Sequence, residues 1–119
     1  MARINSFEEI EAWKKCREFT RILYSITNKE EFEKDFDLKR QIRKATVSIT
    51  SNIAEGFERN TDKEFIQFLY YAKASAGEVR SQLYLAFDLG YIKEEVFRDL
   101  YERIINISKL ISGFIKYLK

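Results

Sequence analysis

Four basic side chains form the part of this sequence best suited to chemistry. They are the only charges between positions 38 and 54, and here they are called the basic strip: Lys39, Arg40, Arg43 and Lys44. Positions four apart are neighbours on a helix, so the strip contains two like-charge pairs that repel each other mildly. Such a strip can bind phosphate groups without reading base sequence, which makes nucleic acid one expected partner. The alternative is a solvated face whose charges are balanced by acids on neighbouring helices.

A run of small and polar residues, "SITSNIAEGF" at positions 48–57, follows the basic strip. A catalytic loop, a phosphate-binding loop and a tightly packed helix end would all use such residues. An apolar stripe favours the helix end, because its spacing continues onto Gly56, where a missing side chain allows either the close approach of another helix or a left-handed helix stop. That stripe consists of Leu38, Ile42, Ala45, Ile49 and Ile53. Asn52 flanks it, and we expect a half-buried, hydrogen-bonded amide there rather than a ligand-binding group.

The residues that most catalytic sites require are missing from this sequence. It has no histidine, so a di-iron site built from Glu-x-x-His motifs within a helical bundle is excluded. The single cysteine, Cys16, has helical spacing with Ala12, Phe19 and Leu23, which predicts a buried structural thiol rather than a nucleophile. No glycine-rich phosphate loop occurs either. The sequence therefore predicts a protein that is not an enzyme and that has no cofactor or metal site.

Composition indicates an all-α protein of ordinary domain size. The chain has 119 residues, of which 45% are hydrophobic, with no proline and only four glycines. This composition suits long uninterrupted helices and offers little turn chemistry for a sheet. The net charge of +2 is too balanced to indicate a nucleic-acid-binding protein by itself. No signal peptide or membrane-spanning apolar run is evident, so we expect a cytoplasmic protein.

Helical periodicity predicts four amphipathic helices, with a charged connection after the first. The expected helices run from Ser6 to Thr27, from Leu38 to Gly56, from Thr61 to Leu89 and from Lys93 to the end, and the connection from Lys29 to Asp37. Residues 1–119 would then form a single all-α domain, an antiparallel up-down-up-down four-helix bundle. Gly113 lies inside the fourth helix at a propensity cost of about 1 kcal/mol, so we expect it to mark a close packing contact.

Local patterns support these helix boundaries. Ser6 with Glu9, and Thr61 with Glu64, have the capping-box spacing that begins a helix. Gly90 follows the third helix, where glycine commonly adopts the left-handed conformation that ends a helix. The acids before the second helix suit the positive end of its dipole.

The third helix carries more apolar surface than a lone bundle needs. Roughly opposite its core stripe lies a second face without any charge, here called the outer face: Tyr70, Ala74, Gly77, Ser81 and Leu85. A monomeric bundle would place charged residues there. We therefore expect the chain to be a homo-oligomer that buries this face between subunits. The alternative is that these residues are scattered surface apolar groups.

Five short segments spread over nearly the whole chain match a known pattern. They are "FEEIEAWKKC" at 7–16, "QIRKA" at 41–45, "SNIAEGF" at 51–57, "KEFIQFLYYAKAS" at 63–75 and "LGYI" at 89–92. Together they resemble the bacterial four-helix bundle family that includes proteins encoded in 23S rRNA intervening sequences. This family is also similar to the accessory variability determinant of diversity-generating retroelements, a barrel-shaped homopentamer that binds the reverse transcriptase and nucleic acid.

The resemblance implies a homopentamer with a binding or scaffolding role and no catalysis. The positions that match the family motif are Gln41, Arg43, Lys44, Ser51, Asn52, Glu55 and Gly56. Two positions depart from the family pattern: Thr50 stands where proline is usual, and Glu58 where glycine is frequent. Both departures affect the end of the second helix, and the Glu58 carboxylate lowers the positive potential of any groove there.

Two kinds of function stay open at this point. In the first, a homo-oligomeric bundle binds structured RNA or another nucleic acid through the basic strip. In the second, the bundle is a protein-binding adaptor or a structural scaffold, such as a reverse-transcriptase accessory protein. Salt-dependent binding of unrelated RNAs would favour the first. Recovery of one protein partner from a nuclease-treated lysate would favour the second.

Overall fold

The computed structural model describes residues 4–119, which form five α-helices and no strand. The helices are α1 (Glu11–Thr27), α2 (Glu30–Lys34), α3 (Phe36–Phe57), α4 (Asp62–Asp88) and α5 (Glu94–Leu118), preceded by a 3-10 turn at Phe7–Glu9. The prediction of an all-α fold is confirmed. The first three residues of the predicted domain, Met1 to Arg3, lie outside the described residues. No helix in residues 4–119 is long and apolar enough to cross a membrane.

The four long helices surround one hydrophobic core. Helix α3 packs mainly against α4, α4 against α5, and α1 against both α3 and α5. The apolar stripe of α3 is buried as its spacing predicts, and Ile42, Ile49 and Ile53 have no exposed surface. Burying each such side chain contributes roughly 1.5–3 kcal/mol relative to leaving it exposed, so these stripes stabilise the helix packing.

Two helix starts are fixed by side-chain caps. The Thr61 hydroxyl accepts a hydrogen bond of 3.1 Å from the Glu64 backbone N–H, so the predicted cap at the start of α4 is confirmed. The Asp35 carboxylate accepts a hydrogen bond of 3.1 Å from the Leu38 N–H at the start of α3. Each cap satisfies one backbone donor that the helix itself leaves unpaired.

The first helix starts later than its sequence pattern predicts. Ser6 precedes only the short 3-10 turn and its side chain makes no capping hydrogen bond, so the predicted capping box is wrong. Ile10 is the reason, because its backbone is extended and its side chain is buried in the core with 3% exposure. Because Ile10 is extended in order to enter the core, the helix cannot include it, and α1 begins at Glu11.

The charged connection after α1 contains a helix that the sequence pattern did not indicate. Phe32 in α2 is fully buried, and its ring centroid lies 5.4 Å from that of Tyr91. This one aromatic anchor holds an otherwise charged segment against the core. Helix α3 then starts at Phe36, two positions before the predicted start at Leu38.

The helix-ending role of Gly90 is confirmed. Its φ is +79°, which a residue with a side chain rarely adopts. The Gly90 N–H donates to the Phe87 carbonyl and the Tyr91 N–H to the Ala86 carbonyl, the paired hydrogen bonds that close a helix end. The expectation for Gly113 is wrong, because a Cβ atom there would meet nothing within 4 Å and the position faces open space.

Candidate nucleic-acid interface

The basic strip lies on the first turns of α3, where it faces outward beside α1. Arg40 and Lys44 are exposed, whereas Lys39 and Arg43 are half-buried. All four line one open depression of about 460 Å³, and two aromatic residues, Tyr24 from α1 and Phe36 from α3, complete its lining. The site is therefore a shallow surface with cationic edges and an apolar floor rather than an enclosed pocket.

No acid neutralises the basic strip at contact distance. Among residues 4–119, five basic residues have a carboxylate partner within 4.0 Å: Lys14, Lys34, Arg59, Arg98 and Arg103. The four strip residues are not among them, and no carboxylate lines their depression. The strip residues therefore form no direct ion pair within residues 4–119, and both readings of the strip stay open. Uncompensated cations on a surface attract anionic ligands such as phosphates.

Arg43 has a structural contact that the sequence pattern did not indicate. Its Nε donates to the Thr27 hydroxyl at 2.8 Å, and its Nη2 donates to the Tyr24 carbonyl at 3.1 Å and to the Asn28 side-chain oxygen at 2.8 Å. These acceptors are grouped at the end of α1, where helical carbonyls lack partners and the helix dipole is negative. All three are neutral, so Arg43 joins α3 to α1 and still contributes its positive charge.

Phe36 is the most exposed large hydrophobic side chain in the described residues, at 68%. Its ring makes no ring contact or cation-π contact with another residue of the described chain, in contrast to Tyr24, whose ring lies 4.1 Å from the Arg43 guanidinium carbon. Neither aromatic residue was predicted from the sequence pattern. Helical spacing alone would have placed Phe36 on the face of the basic strip. It lies off the apolar stripe, four positions before Arg40 and seven before Arg43.

A second depression lies farther along the same α1–α3 seam. It has a volume of about 360 Å³ and is lined by Phe7, Trp13, Arg17, Thr20, Thr50, Ser51 and Ala54. The Arg17 guanidinium carbon lies 5.8 Å from the Trp13 ring centroid, and the Phe7 ring packs edge-on against Trp13 at 5.2 Å. Like the first depression, it combines arginine with aromatic rings and lacks a carboxylate. The seam between α1 and α3 thus carries the same chemistry at both ends.

The motif residue Asn52 belongs to a hydrogen-bond network between helices. Its amide nitrogen donates to the Ser48 carbonyl at 2.8 Å and to the Ser48 hydroxyl at 3.0 Å. The Ser75 hydroxyl on α4 also donates to the Ser48 hydroxyl at 3.0 Å. Asn52 is half-buried, so the expectation of a satisfied amide is confirmed. The network joins α3 to α4.

Gly56 permits a close approach of α3 and α4, and because it lies inside α3 without a positive φ, the alternative of a left-handed stop there is wrong. A Cβ atom at this buried position would lie 2.7 Å from Phe68 Cβ and 2.8 Å from Phe65 Cδ1, which is too close for real atoms. The expected close approach is therefore confirmed. The other motif residues, Gln41, Ser51 and Glu55, are exposed.

The outer face of α4 is exposed along its whole length. Tyr70 and Leu85 at its ends are 44% and 50% exposed, and Ala74, Gly77 and Ser81 between them are exposed too. A Cβ atom at Gly77 would meet nothing within 4 Å. At one end, the Lys119 ammonium group donates to the Tyr70 hydroxyl at 3.3 Å. The five residues thus form one open surface without a charge of their own, with the Lys119 ammonium group at its Tyr70 end.

Cys16 has the properties of a structural thiol, as predicted. It is fully buried, its Sγ lies 3.8 Å from the Thr46 carbonyl oxygen, and burial raises its pKa to about 12. A thiol with that pKa is almost entirely protonated at neutral pH and is a poor nucleophile. The part of the chain that the structure describes also contains no group of three or more His, Cys, Asp or Glu residues placed to hold a metal ion.

Comparisons with known proteins identify a family. The family model for the 23S rRNA-intervening sequence protein matches residues 8–113. A crystal structure from Bacteroides thetaiotaomicron VPI-5482, of a protein with unknown function from the S23 ribosomal protein family, is similar with a TM-score of 0.80 and 27% identity. The match covers 88% of this chain and 95% of that one. No curated protein matches the sequence.

Proposed function

This chain belongs to the 23S rRNA-intervening sequence protein family, and we propose that it is a cytoplasmic, non-enzymatic, homo-oligomeric bundle that binds RNA through the basic strip. One observation carries the proposal. Four cations surround an apolar depression with two aromatic residues, and no carboxylate of the described chain lies within ion-pair distance of them.

The strip suits phosphate groups better than it suits base edges. Arg40 and Lys44 are exposed at the edge of the open depression, so they can reach the backbone of a nucleic acid without entering a groove. Arginine offers paired N–H donors that match two phosphate oxygens, and lysine adds a mobile point charge. Contacts of this kind fix position and supply affinity but carry no sequence information. Binding should therefore be tolerant of sequence and sensitive to salt.

An antiparallel up-down-up-down bundle is the arrangement that we infer for the four long helices. Arg43 near the start of α3 contacts Thr27 at the end of α1, and Gly56 near the end of α3 abuts Phe65 near the start of α4. In a ring ordered α1, α3, α4, α5, the outer face of α4 lies diagonally opposite α1. Subunits that associate through the outer face would therefore leave the α1–α3 seam open.

Association would repeat the basic strip around one particle. The number of five subunits comes from the resemblance described above. Several weak phosphate sites on one particle can act together on one long RNA, because the second contact becomes intramolecular once the first has formed. The oligomer would thereby convert a strip of modest charge into a tight RNA-binding surface.

Direct binding titrations test the RNA proposal. Two unrelated RNAs should bind the parent at low salt, and the double variant Arg40→Gln/Lys44→Gln should weaken both to a similar extent. The matched control is Lys109→Gln/Lys116→Gln, which makes the same charge change at exposed positions of α5 and should retain most of the affinity. Absence of binding by the parent, or equal losses in both double variants, would refute the role of the strip.

An adaptor function is the second candidate, and the exposed outer face of α4 is the observation that favours it. If that face binds another protein, the purified chain should be monomeric and should recover one partner from a nuclease-treated lysate. A defined oligomer in the purified protein, together with RNA binding, would instead favour the first candidate.

A further inference from the structure

We propose that Phe36 is a stacking platform for one unpaired base, so that the basic strip prefers single-stranded RNA to a duplex. This inference rests on the proposed RNA-binding function and adds to it the form of nucleic acid that is bound. Its basis is the position of a largely exposed ring at the edge of a cationic surface whose four basic residues form no direct ion pair within residues 4–119.

The Phe36 ring is available because most of its surface is open to solvent. Its side chain is 68% exposed, whereas the ring of Phe32, four positions earlier, is fully buried against the core. Phe36 is the first residue of α3, and the preceding Asp35 fixes the helix start through its hydrogen bond to the Leu38 N–H. The ring is thus attached to a firmly capped helix end. A base that stacks on it would meet a platform whose backbone is already ordered, which lowers the entropy cost of binding.

The cations of the strip are placed to hold the backbone next to that base. Arg40 and Lys44 follow Phe36 by about one and two turns, or roughly 6 and 12 Å along the helix axis. They line the same depression as Phe36. Aromatic stacking next to a cationic track is the general mode by which proteins bind single strands without sequence preference. The internal bases of a duplex are stacked on both faces, so they cannot cover the ring without being unpaired, and only a terminal base pair has a free face.

The charges around Phe36 also favour one course for the RNA backbone across the protein surface. On its other side, Phe36 borders a depression lined by three acids, Glu31, Asp35 and Asp37, and by Lys34, which forms an ion pair with Glu31 at 3.2 Å. The charge there is negative on balance, which favours a backbone that leaves Phe36 over Arg40 and Lys44. That course follows the α1–α3 seam toward the second depression, where Arg17 and Trp13 offer a cation and a ring again.

A single-stranded RNA of about ten nucleotides and a circular double-stranded nucleic acid, which has no end that could stack on the ring, would test the inference. The variants are Phe36→Ala, Phe36→Leu and Phe36→Trp, with Leu89→Ala as the control because Leu89 is another exposed apolar side chain, at 58%. We expect Phe36→Ala and Phe36→Leu to weaken single-strand binding roughly 5- to 100-fold and to change duplex binding less than twofold. Phe36→Trp and Leu89→Ala should bind like the parent. Circular dichroism confirms that each variant is folded.

A base-specific readout separates stacking from a general loss of apolar surface. The fluorescent base 2-aminopurine, placed within the single strand, should be quenched by the parent and by Phe36→Trp but not by Phe36→Leu. If the single strand binds Phe36→Leu as it binds the parent, while Arg40→Gln/Lys44→Gln still weakens binding, the stacking inference is overturned and the phosphate-binding function stands. If the parent binds neither nucleic acid, both fail.

Discussion

The guanidinium carbon of Arg43 lies 4.1 Å from the ring centroid of Tyr24, and the same guanidinium group donates a hydrogen bond to the Tyr24 carbonyl. One side chain of α3 therefore covers the last turn of α1 and forms one edge of the candidate RNA surface. This contact gives Arg43 a structural role that its neighbours in the strip do not have. Arg40 and Lys44 have no comparable contact in the described chain and are free to meet a ligand.

Replacing Arg43 with glutamine should lower stability, whereas replacing Arg40 should not. Arg43→Gln removes charged hydrogen bonds to Thr27, Tyr24 and Asn28 and the stacking on the Tyr24 ring. The expected loss is about 1–3 kcal/mol in the free energy of unfolding. Arg40→Gln, the matched control one turn earlier, should stay within about 0.5 kcal/mol of the parent. Urea unfolding measures both, and equal stabilities of the two variants would contradict the capping role of Arg43.

Gly56 and Gly113 should respond in opposite ways to the same substitution. A methyl group at Gly56 would collide with Phe65 and Phe68 of α4, so Gly56→Ala should destabilise by about 1–3 kcal/mol. Gly113 lies in an exposed part of α5 with no atom near its missing Cβ. Gly113→Ala should therefore stabilise by up to about 1 kcal/mol through helix propensity. Thermal unfolding of the two variants measures both changes in stability. A Gly56→Ala protein as stable as the parent would exclude the close contact between α3 and α4.

Gly77→Glu should weaken assembly while leaving the helices intact. The carboxylate would lie in the middle of the outer face of α4 and would be desolvated between subunits without a partner. Because a side chain at Gly77 meets nothing within the subunit, the fold itself has room for it. Gly113→Glu is the control for placing a charge at an exposed helical glycine. Sedimentation shows the subunit number and circular dichroism the helicity; an unchanged oligomer of Gly77→Glu would exclude the outer face as the interface.

Asp35 should make stability depend on pH in the acid range. The hydrogen bond from the Leu38 N–H, followed by the one from the Tyr91 hydroxyl at 2.8 Å, lowers the pKa of Asp35. Because the folded pKa is lower than the unfolded value near about 3.9, the contribution of Asp35 is fully present above that value. It is lost as the pH falls through the folded pKa.

Asp35→Asn isolates this titration, because asparagine keeps a capping oxygen for the Leu38 N–H but carries no charge. Urea unfolding between about pH 5 and pH 2 should show a steeper loss of stability for the parent than for Asp35→Asn. Parallel curves for the two proteins would mean that the Asp35 carboxylate contributes nothing specific to the folded state.

Periodic patterns in the sequence predicted the parts of the fold that depend on local spacing. The α3 stripe is buried because residues three and four apart share one helix face, and the Thr61 cap forms because its partner Glu64 is three residues away. The predictions failed where a distant contact overrides local preference. Ile10 enters the core and displaces the predicted start of α1, and the burial of Phe32 creates α2 within a charged segment.

The candidate site was predicted only in part for the same physical reason. The charges of the basic strip can be read from the sequence. Their lack of ion-pair partners cannot, because it depends on where the other helices lie. Arg43 contacts Thr27, Tyr24 and Asn28, which precede it by fifteen to nineteen positions, and no local pattern indicates that contact. The exposure of Phe36 likewise follows from the position of α2 and the start of α3 rather than from residue type.

The salt dependence of RNA binding tests the central claim most directly. Titrations of the parent and of Arg40→Gln/Lys44→Gln at several salt concentrations give the slope of log affinity against log salt. If both side chains contact phosphates, each lost contact should lower the slope by roughly 0.7 to 0.9, and the double variant by about 1.4 to 1.8, almost equally for unrelated RNAs. Indistinguishable slopes for parent and variant, or no binding by the parent at low salt, would contradict RNA binding through the basic strip.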